Sequence, residues 1–372
     1  MSVRFVDIHV LQSVPPSCVN RDDTGSPKSA IYGGVRRARV SSQAWKRAAR
    51  AEFENHLDRS DLGVRTKRVL ELIVNDMAEL APDMPLEQRL ERANKVLEVG
   101  KLKPKPVKAK KNAAEGEEPG IAETDYLIFF SRAQIRSLAE IALNSDKPTA
   151  KEVLAAASSE HGVEVSLFGR MVADNKLLSV DASVQVAHAL STHGAEIESD
   201  YFTAVDDERD ADDQGADMIG VIDFTSATLY RYATINMDLL AENLGDEGAA
   251  IRAAQAFVRA YALSMPTGKQ NTFANRTLPE AVVVVLRDDQ PVNAVGAFEA
   301  PVLAKGQGLV AESARRLAER LASVQSFLDA PIATFVTTSS GAADVLAAGS
   351  GVPFTSLVEA VGESLAASFV TT

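Results

Sequence analysis

Apolar and polar residues alternate at the start of the chain, and the pattern then changes to a helical spacing. Residues 3–12 alternate and are rich in β-branched residues, which predicts a strand. After a second, shorter alternating run, Ser41 and Ser42 offer the hydroxyls that helix N-termini prefer. A helix is therefore expected from there to about Leu57. Its apolar side would consist of Trp45, Ala48, Ala49 and Phe53.

Strands and helices also alternate along the rest of the chain. In order, the pattern predicts helices over 61–99, a buried strand over 126–131 followed by two helices, a strand over 163–171, a strand or a helix over 181–193, a long hairpin over about 198–225, a strand over 226–240, a helix over 247–265, a buried strand over 281–288, a helix over about 308–328, a short strand over 333–338 and a last helix. A helical block and a hairpin interrupt the alternation, which indicates an α+β fold with insertions.

The composition is that of a large globular protein. The chain has 372 residues, of which 46% are hydrophobic and 24% charged, enough for more than one subdomain. Cys18 is the only cysteine, which excludes disulfides and cysteine-based zinc sites within one chain. The opening residues do not resemble a signal peptide, and no apolar run reaches about 18 residues. A soluble, cytoplasmic protein without membrane contact is expected.

Positive charge is concentrated in one segment of an acidic chain. The net charge is −12, yet the segment from Arg21 to Arg50 contains eight Lys and Arg against two Asp. That segment therefore carries +6 and the remainder of the chain −18. Such segregation indicates a site rather than a bias in composition.

The basic residues of the predicted helix share one arc of about 100°. They are Lys46, Arg47 and Arg50, together with Gln43. Because the arc begins in the first turn, where free N–H groups already attract anions, cations there favour a bound phosphate. A solvated helix face with an Arg50–Glu54 pair remains an equal alternative.

Other candidate chemistry is weaker. The acidic run Asp206–Asp217 lacks the glutamate that a calcium loop needs at its twelfth position, and TGKQN at 267–271 lacks the first glycine of a P-loop. Asp22 and Asp23 could hold one Mg²⁺, although adjacent acids in a loop are more often turn formers. The lysine-rich insert at 101–122 is expected to be a solubilising loop.

Aromatic residues begin the predicted hairpin. Tyr201, Phe202 and Val205 precede its charged tip. Exposed aromatics on a protruding ribbon could wedge between bases. They could equally anchor the hairpin against the protein itself.

Several segments resemble one family. FVDIHVLQSVPPSCVNRDDTGSPKSAIYGGVRRARVSSQAWKRAAR resembles the amino-terminal signature of the CasC family, the repeating backbone subunit of the type I-E CRISPR Cascade complex. Similar matches follow in order through SLFGRM, VDASVQVAHALSTH, DYFTAVDD, ATLYRYATINMDLL and MPTGKQNTFAN. The helical block at 60–160 and the carboxy-terminal part match only in outline.

This resemblance implies an α+β fold shaped like a hand. Its palm would be an RRM-like, ferredoxin-like sheet, its fingers an inserted helical subdomain and its thumb a β-hairpin. The palm would comprise residues 1–59, 183–197 and 226–372, the fingers 60–182 and the thumb 198–225.

The resemblance also implies a non-catalytic role in antiviral interference. In such proteins about six copies polymerise head-to-tail along CRISPR RNA, and each thumb displaces one nucleotide in about every six, which leaves five-nucleotide segments for pairing with target DNA. The implied partners are CRISPR RNA, target DNA and the Cascade subunits CasA, CasB, CasD and CasE. No cofactor or metal is implied.

Residue roles follow from the same resemblance. The residues that match guide-phosphate positions are Asn20, Arg21, Ser41, Gln43, Lys46 and Arg50. Phe202 and Val205 match the thumb wedge, and Met171 matches the palm residue that brackets the displaced base. Tyr201 departs from the family, where Trp is expected.

Two rival functions remain open at this stage. One is a metal-dependent RNase that uses Asp22 or Asp23, as type III relatives of this backbone do with an Asp. The other is a general single-strand RNA-binding protein outside CRISPR defence.

Overall fold

The computed structural model describes residues 2–58, 62–102, 104–106, 121–172, 175–204, 218–304, 306, 308–339, 341–347 and 350–369. Val205, the acidic run Asp206–Asp217 and most of the insert at 101–122 lie outside these residues.

In chain order, the strands and helices are β1 (Phe5–Ser17), β2 (Ser29–Tyr32), β3 (Val35–Val40), α1 (Ser42–Phe53), β4 (Gly63–Thr66), α2 (Val69–Leu80), α3 (Leu86–Val99), β5 (Ile128–Ser131), α4 (Arg132–Asn144), α5 (Ala150–Ser158), α6 (Val163–Phe168), β6 (Val184–Val186), β7 (Ala189–Ser191), β8 (Glu198–Ala204), β9 (Met218–Asn236), α7 (Met237–Leu244), α8 (Glu247–Leu263), α9 (Gln270–Phe273), β10 (Ala281–Arg287), α10 (Val310–Ser323), β11 (Ala333–Thr338) and α11 (Phe354–Phe369). The mixed α/β content agrees with the predicted class.

The main sheet has the strand order β11-β10-β1-β9-β7-β3-β2. Its central strand β1 pairs antiparallel with β10 on one side and β9 on the other. Every residue of β1 from Val6 to Gln12 is buried, so the polar positions of the alternating pattern are buried as well as the apolar ones. The register shifts between Val14 and Ser17, where two prolines supply no N–H for pairing.

Strand β9 belongs to both the hairpin and the main sheet. Its first part pairs with β8 from Phe224↔Glu198 to Met218↔Ala204, which forms the hairpin expected from the sequence. Its second part continues along β1 as far as Asn236. One continuous strand therefore joins the protruding ribbon to the centre of the sheet.

The chain forms two compact units. The first comprises Met1–Glu52, Gln185–Met237 and Ala254–Thr372 and contains the main sheet. The second comprises Phe53–Val184 and Asp238–Ala253.

The second unit has an apolar core of its own. Residues of α2 at helical spacing, among them Ile73 and Met77, pack there with residues of α3, α4 and α5. Arg170 is buried in this unit and donates hydrogen bonds to the carbonyl oxygens of Leu178 and Ala157. A single guanidinium thereby joins the segment after α6 to the end of α5.

The prediction of a strand over 163–171 is wrong. Residues Val163–Phe168 form helix α6, which ends where Gly169 adopts a φ of +73°. Over only six residues, strand propensity contributes less free energy to the local conformation than contacts with the rest of the unit do. One such contact is the buried carboxylate of Glu164, which accepts a hydrogen bond from the N–H of Gly63.

Other boundaries also shift. The start of the predicted helical block at 61–99 is strand β4, which pairs with β5. Because β5 is distant along the chain, the spacing of apolar residues within a short window could not reveal this pairing. Helix α1 ends at Phe53 rather than near Leu57, and the open choice at 181–193 resolves into strands β6 and β7. In the described ranges, the helices lack the combined length and apolar character needed to cross a membrane.

Candidate nucleic-acid interface

The N-terminus of α1 is held by two of the predicted site residues. The hydroxyl of Ser41 accepts a hydrogen bond from the N–H of Ala44 at 3.3 Å, which caps the helix. The side-chain oxygen of Asn20 in turn accepts the N–H of Ser41 at 2.9 Å. Because the Asn20 oxygen is used in this way, a phosphate would bind to its amide nitrogen, which is the donor that an anion needs.

A cleft of about 1050 Å³ opens beside this helix start in the first unit. Four of the predicted residues line it: Asn20, Arg21, Ser41 and Gln43. Arg47, one turn after Gln43, lines the same cleft. The structure therefore brings together hydrogen-bond donors and cations that the sequence placed on separate segments.

The cleft is also lined by two residues to which the sequence analysis assigned no role. Lys269 and Arg276, from the polar loop after α8, line the cleft. Both residues follow Gly268 in or just after the segment MPTGKQNTFAN, which the sequence analysis noted but which does not fit a P-loop. The spacing of residues within this segment could not show which other segments lie next to it in the fold.

Helix α1 and the polar loop are both fixed to one buried pair, Gln12 and Arg231. The side-chain oxygen of Gln12 accepts a hydrogen bond from Arg231 at 2.6 Å. Its amide nitrogen donates to the carbonyl of Thr277, at the end of the polar loop, at 2.9 Å. Arg231 stacks on Trp45 of α1. A small set of buried contacts thus sets the position of α1 and of the loop.

Lys46 and Arg50 do not line this cleft, although they belong to the predicted arc. Both side chains are half-buried. Around the helix, Arg50 lies about 20° and Lys46 about 60° from Gln43, on the side away from Arg47. Burial lowers the pKa of Lys46 below its ordinary value. Their contact with a phosphate stays a prediction.

Arg37 is a structural residue, so it does not add to the basic surface inferred from the charge pattern. Its side chain is buried and donates to the carbonyl oxygens of Phe298 and Ser191 at 2.8 and 3.2 Å. Charge counting along the sequence cannot distinguish such an arginine from an exposed one, because the carbonyl oxygens that hold it come from distant segments.

Asp22 acts as a turn former. Its Oδ1 accepts hydrogen bonds from the backbone N–H groups of Thr24 and Ser26 and from the Thr24 hydroxyl. The hydroxyl bond is the largest cause of an Asp22 pKa below its ordinary value. Within the described ranges, no group of three or more His, Cys, Asp or Glu side chains is arranged to hold a metal ion.

The hairpin presents apolar side chains on both faces. Tyr201 and Val221 are cross-strand neighbours and are both exposed. Phe202 lies opposite Gly220, and its ring occupies the space where a side chain at 220 would be, since a Cβ there would lie 2.4 Å from the ring. Phe202 nevertheless remains 42% exposed. Val205 lies outside the described residues.

The base of the hairpin meets both loops of the cleft. Asp223 on β9 accepts hydrogen bonds from Ser26 of the first loop and from Ser199 of β8. The ring of Phe224 lies 6.2 Å, centroid to centroid, from that of Phe273 in α9, which belongs to the second loop. Cleft and hairpin therefore form one continuous part of the first unit.

Met171 belongs to the second unit and is 86% exposed. It directly follows Arg170, which is anchored in the core of that unit. An exposed methionine next to an anchored residue is suited to contact with a flat ligand, and its role stays a prediction.

Two solved structures similar to this chain are both subunits of CRISPR RNA-guided surveillance complexes. A subunit of a solved "CRISPR RNA-guided surveillance complex, pre-nicking" is 33% identical, with a TM-score of 0.83 over 97% of this chain and 100% of that one. A subunit of another "CRISPR RNA-guided surveillance complex" is 29% identical, with a TM-score of 0.73 over 97% of this chain and 99% of that one. A comparison with curated proteins found no match.

The family comparison covers most of the chain. The family described as CT1975-like protein matches residues 6–359. This match and the two structural similarities confirm the resemblance to the CasC type of CRISPR subunit. The chain therefore belongs to the CT1975-like protein family.

Proposed function

We propose that this protein is the backbone subunit of a type I-E Cascade complex and that it holds guide RNA by its phosphates. The observation that carries the proposal is the cleft in which Asn20, Arg21 and Ser41 meet Arg47 beside a hairpin with exposed aromatics. The donors are a carboxamide, a hydroxyl and guanidinium groups, which bind phosphates without selecting bases. Such a grip suits a protein that must accept any guide and leave sequence reading to base pairing.

In this proposal, the sheet of the first unit is an RRM-like palm, the second unit supplies the helical fingers, and β8 with the start of β9 is the thumb. About six copies would assemble head-to-tail along the RNA. Phe202 would insert at each displaced nucleotide, with Val205 next to it, and Met171 would bracket that base. The intervening five-nucleotide segments would then be free to pair with target DNA. CasA, CasB, CasD and CasE are the further partners.

The phosphate grip is tested by salt dependence. The full-length protein is titrated with labelled single-stranded RNAs of unrelated sequence at several salt concentrations. The double variant Arg21→Ala with Arg47→Ala should weaken binding to all of them equally and flatten the salt slope by about 1.4, because each lost phosphate contact removes about 0.7. A matched control is Arg320→Ala, which removes one exposed cation of α10, outside the cleft. An unchanged slope in the double variant would refute the grip.

The biological context is tested by purification from the native host. The tagged chain should co-purify with repeat-flanked RNA of one length class and with other proteins in fixed ratio. RNA of mixed origin and length would instead support a general RNA-binding protein.

The proposal includes the absence of catalysis. Asp22 supports it, because three hydrogen bonds within its own turn already engage one of its carboxylate oxygens. Incubation of the RNA complex with Mg²⁺ should leave RNA intact. Regular cleavage that is lost in Asp22→Ala or Asp23→Ala would establish the rival RNase instead.

A further inference from the structure

The polar loop between α8 and β10 has a backbone that is unusual for its sequence. Lys269 adopts a left-handed conformation, with a φ of +51°, at the start of the short helix α9. A lysine rarely adopts this conformation, and such strain tends to be kept where a side chain has a function.

This loop is packed firmly against the first loop of the cleft. At Gly268, an added Cβ would lie 2.1 Å from the carbonyl oxygen of Val19, so the backbones touch directly. Asn275 is buried and donates its amide to the carbonyl of Gly268 at 3.2 Å. Lys269 is thus held in position next to the loop that carries Asn20 and Arg21.

The charges of Lys269 and Arg21 both act on the thiol of Cys18. Burial raises the pKa of the Cys18 thiol, and the positive charges of Arg21 and Lys269 both oppose that rise. Arg276, which also lines the cleft, is 3.8 Å from Glu52 and so is partly neutralised. Lys269, by contrast, has no ion-pair partner in the part of the chain that the structure describes.

We propose that Lys269 binds a phosphate of the same RNA strand that Arg21 and Arg47 hold, because all three cations line one cleft. This inference rests on the proposed function. The cleft has room for a phosphodiester. Four cations line it (Arg21, Arg47, Lys269 and Arg276) against three carboxylates (Asp22, Asp23 and Glu52), of which Asp22 is held in its own turn and Glu52 contacts Arg276. An ammonium group without an ion-pair partner in the protein can form a charge-assisted hydrogen bond with a phosphate.

The test uses three variants of Lys269 and one control variant, all in the full-length protein. Lys269→Ala removes the charge, and Lys269→Gly removes it while favouring the left-handed backbone, which preserves the loop. Both should bind single-stranded RNA about tenfold more weakly and flatten the salt slope by about 0.7, whereas Lys269→Arg should restore both values. Arg320→Ala is the charge-matched control and should not change the slope.

The outcomes separate this inference from the proposed function. If Arg21→Ala flattens the slope but both Lys269 variants bind RNA as the wild type does, Lys269 has no phosphate and the inference fails while the function stands. If the wild type itself does not bind RNA, the proposed function fails. A DNA strand complementary to the RNA is added as a second arm. A loss confined to the binding of that strand would assign the phosphate to target DNA and overturn the guide assignment.

Discussion

The guanidinium carbon of Arg231 lies 3.7 Å from the centroid of the Trp45 ring, and the ring of Tyr261 lies 4.6 Å from the same carbon. All three side chains are buried. Since Arg231 belongs to the strand that also forms the hairpin, one cation joins α1, α8 and β9. The position of the helix that begins at the cleft therefore depends on a residue that does not line it.

We expect Arg231→Leu to destabilise the protein and to weaken RNA binding. The substitution leaves the Gln12 oxygen and the carbonyl of Tyr261 without their donor and removes the stack on Trp45. Urea unfolding should show a loss of about 3 kcal/mol. Arg231→Lys, which keeps a charge but not the planar group, should recover only part of that loss. A loss below about 0.5 kcal/mol for Arg231→Leu, the range of ordinary surface substitutions, would contradict the anchoring role.

We expect Gly220→Ala to move Phe202 without unfolding the protein. A Cβ at 220 would meet the ring at 2.4 Å, and an exposed ring on a ribbon can rotate away at small cost. In the RNA complex, the regular six-nucleotide pattern of nuclease protection should then become blurred, as it should in Phe202→Ala. The melting temperature and the assembly on RNA should be retained.

Tyr201→Ala is the matched comparison for this hairpin, because Tyr201 lies on the opposite face, across from Val221. If Tyr201→Ala blurs the pattern and Gly220→Ala does not, the wedge is Tyr201 and its assignment to Phe202 is wrong.

We expect Lys46→Ala with Arg50→Ala to flatten the salt slope of RNA binding by about 1.4, independent of sequence. Although these residues lie outside the cleft, they are on a neighbouring face of the same helix. The measurement is the titration series described for Arg21 and Arg47. If the salt slope of this variant equals that of the wild type, neither residue contacts a phosphate, and the phosphate site is confined to the cleft.

We expect two buried groups of β1 to give opposite pH dependences of stability. Burial is the main cause that raises the pKa of Asp7 to about 6, and burial also lowers the pKa of His9 to about 3. The raised Asp7 pKa gives stability that is present below about pH 4 and is lost as pH rises through 6. The lowered His9 pKa gives stability that is present above about pH 6.5 and is lost as pH falls toward 3.

Single substitutions should separate the two effects. Relative to wild type, Asp7→Asn should gain stability as pH rises from about 4 to 6, because over this range the unfolded wild type loses the Asp7 proton while the folded wild type keeps it. His9→Gln should gain relative stability as pH falls below about 6.5. Each slope should approach about 1.4 kcal/mol per pH unit in urea unfolding. Parallel curves for the variants and the wild type would show that neither group titrates differently in the folded protein.

Periodicity was enough to predict most of the fold. The strand at the start of the chain, the helix after Ser41, the hairpin and the late buried strand each have a regular pattern or composition within their own segment, so their type could be predicted locally. Local patterns failed where a distant partner decides the conformation. Glu164 and the Gly63 N–H are an example, since their bond stabilises a helix in residues that alternate like a strand.

The candidate site divides in the same way. The sequence alone determined that donors and cations gather between Asn20 and Arg50 and that aromatics begin the hairpin, because these are properties of short segments. Only the tertiary structure decided which of them meet. It buried Arg37 among carbonyl oxygens, left Lys46 and Arg50 outside the lining of the cleft and brought Lys269 into that lining. The physical reason is that burial and proximity depend on packing between segments far apart in the chain, and one segment's composition does not contain that information.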